Sequence, residues 1–177
     1  MTLILPVSAH EHLRGSVDAP IVLVQYGDFE CPYSGAAYWA VKEVGEHLGE
    51  QLCYVFRPFP LHDIHPHAMH AAEAAEAAAM QNRFWPMYEL LFENQEELGA
   101  EEIVSYANQA GLDEARLVEE LKTRAHHERV LKSIAGGRQS GVKGTPTFFI
   151  NGVFHGNREG LWDAEALLEA IENTRSD

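Results

Sequence analysis

Cysteine is scarce in this chain, which contains only Cys31 and Cys53 among 177 residues. Two cysteines cannot form the framework of several disulfides that holds small secreted proteins together. The sequence therefore indicates a reduced, intracellular protein. A cysteine with a special role is expected to be chemical rather than structural.

Long apolar runs and basic residues are also few. No stretch approaches the roughly 20 apolar residues of a membrane span, and the apolar residues 3–5 follow no positive segment, so no export signal is expected. The chain has 13 basic and 27 acidic residues, which give it a formal charge of −14. This charge repels nucleic acid and anionic lipid. We expect a cytoplasmic protein without nucleic-acid or membrane partners, whose oligomeric state the sequence leaves open.

The length fits one domain, which we expect to cover residues 1–177. The apolar segments Ile21–Tyr26 and Leu52–Phe56 have the pattern of buried strands. Between them, apolar residues at helical spacing predict a helix from Pro32 to about Leu48, ended by Gly49. A strand, a helix and a strand within about 40 residues form one crossover unit.

The middle of the chain predicts helices and no strands. The apolar residues between Phe84 and Phe92 recur at helical spacing, and we interpret them as the core of this region rather than as a peptide groove. The predicted helices cover residues 66–81, 84–94, 101–110, 113–122 and 126–139.

Strands return near the carboxyl terminus. Thr147–Ile150 reads as a third strand, and Asn151-Gly152 is a two-residue turn signal that predicts a hairpin with Val153–His155. Asp163 can then cap a last helix.

Cys31 is predicted to lie where the first helix begins, because Pro32 favours the first helical position. The amides of Tyr33 and Ser34 are then free to face the sulfur. These amides and the positive end of the helix dipole favour a thiolate over a thiol. We therefore interpret Cys31 as a nucleophile rather than as an inert core cysteine.

Two segments resemble the DsbA-like branch of the thioredoxin superfamily: Gly27-Asp-Phe-Glu-Cys-Pro-Tyr-Ser-Gly35 and Gly144-Thr-Pro-Thr-Phe-Phe-Ile-Asn-Gly152. The likeness extends from about residue 18 to 171. It implies an α/β thioredoxin fold, with a central mixed sheet flanked by helices and an inserted all-helical subdomain at about residues 62–141. It also implies a cis proline at Pro146 beside the Cys31 nucleophile.

Ser34 is the departure from the family, which has a second cysteine at this position. A hydroxyl cannot form a disulfide, so a mixed disulfide at Cys31 must be resolved by an external thiol. Ser34 either donates a hydrogen bond to the Cys31 thiolate or satisfies the first turn of the helix. The expected substrate-binding residues are Pro32, Tyr33, Thr145 and Pro146, with the Thr145 backbone pairing with an extended peptide or glutathione.

Other residues near the motif have a structural interpretation. Cys53 lies in an apolar strand and is expected to be an inert core thiol. Asp28 and Glu30 could shuttle a proton or oppose a thiolate, but we expect solvated loop carboxylates.

The four histidines His62, His65, His67 and His70 form a cluster in the sequence. His67 and His70 share a helical face, a spacing that can bind a metal. No shared carboxylate or further ligand pattern accompanies them, so no metal site is predicted.

The sequence thus predicts a thiol-disulfide oxidoreductase that acts through a mixed disulfide at Cys31 with a protein thiol or glutathione. Reduction of glutathione mixed disulfides and disulfide isomerisation are the expected reactions, because an external thiol completes both. Net oxidase activity is not expected, and no cofactor is predicted beyond glutathione as a co-substrate. Two alternatives stay open: a glutathione-dependent transferase or isomerase, and a redox-silent module that binds a peptide or a glutathione-ligated cluster.

Overall fold

The structure, a computed structural model, describes residues 1–156 and 163–175. Within them the chain forms five strands and seven α-helices. In chain order these are β1 (Leu13–Arg14), β2 (Ile21–Gly27), α1 (Pro32–Leu48), β3 (Leu52–Pro58), α2 (Ala68–Ala79), α3 (Phe84–Glu93), α4 (Ala100–Gln109), α5 (Glu114–Lys122), α6 (His127–Gln139), β4 (Thr147–Ile150), β5 (Val153–Gly156) and α7 (Ala164–Arg175).

The strands form one mixed sheet in the order β1-β3-β2-β4-β5. β2 and β3 are parallel and are connected through α1, whereas β4 is antiparallel to β2 and β5 is antiparallel to β4. Both central strands are almost entirely buried, which explains why they read as continuous apolar runs instead of alternating ones. The mixed sheet flanked by helices is the architecture that the resemblance implied.

The structure differs from the sequence prediction mainly at the ends of elements. β2 and β3 extend to Gly27 and Pro58, which are paired in the ladder, although neither residue favours a strand. α2 begins at Ala68 rather than at Pro66. Residues 66 and 67 instead form a turn, in which the N–H of Ala68 donates to the His65 carbonyl at 3.3 Å. β1 was not predicted, since two residues are too few to show a pattern.

The aromatic residues of α3 form a core with the sheet, as predicted. Phe84, Met87, Tyr88, Leu91 and Phe92 are all buried. Tyr88 packs edge-on against Phe56 of β3, with the ring centroids 5.0 Å apart. Phe92 packs at 4.9 Å against Phe29. Because Phe29 precedes Cys31 by two residues, the helical segment packs directly on the loop that leads into α1.

The carboxyl ends of β2 and β3 position the candidate site. Gly27 pairs with Pro58, and Tyr26 pairs with Thr147 at the start of β4. The loop before α1, the segment after β3 and the loop before β4 therefore meet at one edge of the sheet.

Candidate active site

Cys31 is the N-cap of α1, as predicted, with extended backbone angles and Pro32 in the first turn. Its Sγ lies 3.4 Å from the carbonyl oxygen of Thr145, to which the thiol donates. The Thr145–Pro146 peptide bond is cis, as the resemblance implied. The two segments that carry the resemblance, about 110 residues apart in the sequence, are thus in direct contact.

The amides at the start of α1 were expected to face the Cys31 sulfur. The Cys31 side chain makes no capping hydrogen bond to the helix amides. The sulfur contacts the Thr145 carbonyl instead, because a protonated thiol is a donor and needs an acceptor. The residue is also only 3% exposed. Packing of the Thr145-Pro146 loop against the helix end, which a helix pattern does not reveal, covers it.

Ser34 is completely buried one turn into α1. Its Oγ accepts a hydrogen bond from the backbone N–H of Asp28 at 3.2 Å. This is neither of the two roles predicted for it. The hydroxyl ties the start of the helix to the end of the strand before it, a contact that depends on how the loop folds back.

Cys53 points into the core, as predicted, and is 0% exposed. Burial, with a smaller contribution from the negative charge of Glu11, raises the pKa of its thiol. Cys53 pairs with Val22, whereas the loop to Cys31 begins after Gly27, so about 16 Å of strand separates the two regions. A disulfide requires Cα atoms within about 7 Å, which excludes pairing of Cys53 with Cys31 in this fold.

Asp28 is not a solvated loop carboxylate, contrary to our expectation, because its side chain is 0% exposed. One carboxylate oxygen accepts the N–H of Glu30 at 2.8 Å. The other accepts the N–H of Leu61 and contacts Nδ1 of His65, both at 2.8 Å. The backbone carbonyl of Asp28 also accepts the N–H of Cys31 at 3.2 Å. Asp28 therefore fixes the loop before Cys31 to the segment after β3.

The histidines that are adjacent in the sequence have separate partners. His65 pairs with Asp28, while His67 contacts Glu30 through both its backbone N–H and Nδ1, at 2.7 and 2.8 Å. Glu30, also expected to be solvated, is thus hydrogen-bonded to His67 at the start of α2. Burial lowers the pKa of His70. In residues 1–156 and 163–175, no three His, Cys, Asp or Glu side chains converge as metal ligands would.

Gln95 is a site residue that the sequence did not reveal. From the loop after α3, its Nε2 donates to the carbonyl oxygens of Phe29 at 2.8 Å and Cys31 at 3.0 Å. Gly35 makes room for this side chain, since a Cβ there would collide with the Gln95 amide. A single glutamine in a loop belongs to no sequence pattern that would predict its contacts. Only the packing of α3 on the sheet brings Gln95 to Cys31.

The expected substrate-binding residues differ in their exposure. Thr145 and Pro146 are buried, and the Thr145 carbonyl contacts the sulfur, while Pro32 and Tyr33 lie on the exposed start of α1. The Tyr33 ring is 57% exposed. Thr145 Oγ1 is buried and has no hydrogen-bond partner within the described parts of the chain. The geometry provides a sulfur at a helix N-terminus next to the backbone of the Thr145-Pro146 loop.

Comparisons with known proteins agree with this geometry. A family model described as thioredoxin matches residues 8–173. Among solved structures, BdbD from Bacillus subtilis superposes with a TM-score of 0.83 at 20% identity, covering 95% of this chain and 94% of that one. A thioredoxin-like oxidoreductase from Silicibacter pomeroyi superposes with a TM-score of 0.81, also at 20% identity, covering 96% and 95%. These structures share the thioredoxin fold with a helical insertion.

Much longer proteins share more sequence with this chain. A Na(+)/H(+) antiporter NhaA 1 from Mycolicibacterium vanbaalenii is 41% identical over 180 residues, which is 99% of this chain and 28% of that protein. The chain thus spans about a quarter of the length of the curated relatives it matches. None of the helices in the described residues is both long and apolar enough to cross a membrane.

The family match extends over nearly the whole chain and includes both segments that meet at Cys31. The chain belongs to the thioredoxin family.

Proposed function

We propose that the protein is a monothiol thiol-disulfide oxidoreductase whose nucleophile is Cys31. The observation that carries this proposal is the contact between Cys31 Sγ, at the N-terminus of α1, and the carbonyl of Thr145 at 3.4 Å. A helix N-terminus favours the thiolate, the form that attacks disulfides. The groups that would align a partner are therefore already next to the sulfur.

The proposed cycle has two exchange steps. The Cys31 thiolate attacks one sulfur of a mixed disulfide between a protein and glutathione, and the protein leaves as a thiolate that takes up a proton. An external thiolate then attacks the sulfur bound to Cys31, which releases a disulfide and restores the Cys31 thiolate. In the net reaction the protein mixed disulfide is reduced to a thiol. The external thiol and the glutathione from the mixed disulfide form the new disulfide, so the electrons balance.

An external thiol is required because neither candidate within the described residues can resolve the mixed disulfide. Ser34 has no sulfur, and Cys53 lies at the far end of β3 with a raised pKa. Reduction of glutathione mixed disulfides and disulfide isomerisation both satisfy this requirement, with glutathione as a co-substrate and protein thiols or disulfides as partners. The proposal places the protein in a reducing compartment such as the cytoplasm, where small thiols are abundant.

In this proposal, Thr145 and Pro146 bind the substrate. We propose that the Thr145 backbone aligns the incoming chain, because its carbonyl already contacts the Cys31 sulfur, and that the exposed Tyr33 ring at the start of α1 contributes to binding. The antiporter activity in the relatives' names belongs to proteins of which this chain spans 28%, and the cycle does not depend on it.

Competitive alkylation tests the nucleophile. Native protein is treated briefly with iodoacetamide and analysed by peptide mass spectrometry, at several pH values. We expect label on Cys31 only, with Cys53 labelled after unfolding, because the raised pKa of Cys53 keeps its thiol neutral, whereas the helix N-terminus at Cys31 favours a thiolate. Equal labelling of both cysteines in the native protein, or faster labelling of Cys53, would contradict the assignment.

A further inference from the structure

A recess of about 220 Å³ lies beside the loop that carries Thr145 and Pro146. One wall is the segment of residues 59–64 after β3, and the other is formed by Arg138, near the end of α6, and Lys143. We refer to it as the 59–64 recess. It lies outside the contacts already described for Cys31.

The recess is connected to Cys31 on both sides. The N–H of Leu61 is bound by the Asp28 carboxylate at 2.8 Å, and Asp28 is also bonded to the backbone of Cys31. On the other side, Lys143 precedes Thr145 by two residues, and the Thr145 carbonyl contacts Cys31 Sγ. The segments that border the recess are therefore the same ones that contact Cys31 or its loop.

The two cations in this recess differ from most of the arginines in the described residues. The arginines Arg14, Arg57, Arg116, Arg124 and Arg129 each pair with a glutamate. Arg138 and Lys143, by contrast, make no side-chain hydrogen bond or ion pair to any residue in 1–156 or 163–175. The one carboxylate in the recess, Asp63, is 90% exposed and lies 3.7 Å from His62. Two uncompensated positive charges in a chain of formal charge −14 favour an anionic occupant.

The size of the recess and the net charge of the chain favour a small anionic molecule over an acidic protein as the occupant. The net charge repels an acidic protein over the full contact surface, whereas a small acidic thiol carries little charge outside the recess. The recess is also smaller than the roughly 300 Å³ at which pockets for drug-sized ligands begin.

Resting on the function proposed above, we infer that the 59–64 recess binds a carboxylate of a small acidic thiol of the glutathione class while its sulfur exchanges at Cys31. Arg138 and Lys143 are then specificity-determining residues that act on substrate charge. They do not take part in the exchange of sulfur atoms. The acidic thiol is the external thiol that the single-cysteine cycle requires.

Disulfides of different charge test this inference. The rate of mixed-disulfide formation at Cys31 is measured by intact-protein mass spectrometry with oxidised glutathione and with uncharged hydroxyethyl disulfide. For the double variant Arg138→Gln with Lys143→Gln, we expect the rate with oxidised glutathione to fall about threefold to tenfold and to lose most of its dependence on salt. The rate with hydroxyethyl disulfide should not change.

The matched control is Arg83→Gln with Lys122→Gln, which removes the same charge from two exposed cations that make no ion pair with the described residues. This variant should behave like the parent with both disulfides. The inference would be wrong if the double variant lost rate equally with both disulfides. It would also be wrong if the control variant lost as much rate with oxidised glutathione as the double variant does. An effect seen only with an acidic peptide disulfide would overturn the choice of a small thiol. If neither disulfide modifies Cys31 in the parent protein, the proposed function itself fails.

Discussion

Cys31 and Cys53 lie toward opposite ends of the parallel pair β2 and β3, and they are 3% and 0% exposed. Cys53 is enclosed by core side chains, and its burial raises the pKa of the thiol. Cys31 is at a helix N-terminus, and its sulfur contacts the backbone of a loop. The difference shows that the groups around a sulfur, rather than its exposed area, distinguish a candidate nucleophile from a core thiol.

The largest effect should come from removing each sulfur in turn. Cys31→Ser should reduce the release of glutathione from a glutathionylated protein to the uncatalysed rate, because a serine cannot form a disulfide. Cys53→Ala should leave that rate unchanged and lower the free energy of unfolding by about 1 kcal/mol, because it leaves a small cavity in the core. The assay is chromatographic detection of the glutathione disulfide released when glutathione is the external thiol, together with urea denaturation. Loss of activity in Cys53→Ala, with its fold intact, would contradict the separation of the two cysteines.

A second sulfur placed at the Cys31 end should produce the next largest change. Ser34→Cys creates two thiols three residues apart on α1, so the variant should form an internal disulfide and reduce insulin about tenfold faster than the parent. Ser34→Ala is the control, because it also removes the acceptor of the Asp28 N–H but adds no sulfur. No gain in Ser34→Cys, despite a disulfide detected by mass spectrometry, would show that substrate docking limits exchange.

The smallest effect should come from the histidine pairs that hold the Cys31 loop. His65→Gln removes the partner of a fully buried carboxylate, and we expect unfolding to become easier by about 1–3 kcal/mol. His67→Gln removes a pair in which the histidine side chain is 52% exposed, and the expected cost is below about 1 kcal/mol. Urea denaturation of both variants at pH 7 gives the comparison. Equal losses would show that burial of Asp28 does not strengthen its pairing with His65.

The sequence was sufficient for the order of the main elements. Continuous apolar runs gave β2 and β3, and helical spacing gave α1 and the helices between β3 and β4. Pro32 located the start of α1, and Asn151-Gly152 located the hairpin. Each of these signals depends on residues that are neighbours in the chain. The exact ends of β2 and β3 were missed, because Gly27 and Pro58 join the ladder only through pairing with each other.

The site was predictable only in part. Cys31, Thr145 and Pro146 could be identified because the resemblance linked two segments that are far apart in the sequence. Two contacts were not predictable: the pairing of Asp28 with His65, and the hydrogen bonds from Gln95 to the loop before α1. Each joins residues from different elements, and no regular spacing in the sequence relates them.

By itself, the sequence determined that one cysteine begins a helix, that the other lies in a buried strand, and that no second thiol follows the first in the motif. Those features depend on local chain chemistry: the fixed φ of proline, the period of apolar residues and the identity of residue 34. The tertiary structure alone decided which groups touch the sulfur, that Asp28 is buried, and that Arg138 and Lys143 face the segment after β3. Such contacts form only when the crossover of β2 and β3 and the helical segment between β3 and β4 bring distant parts of the chain to one edge of the sheet.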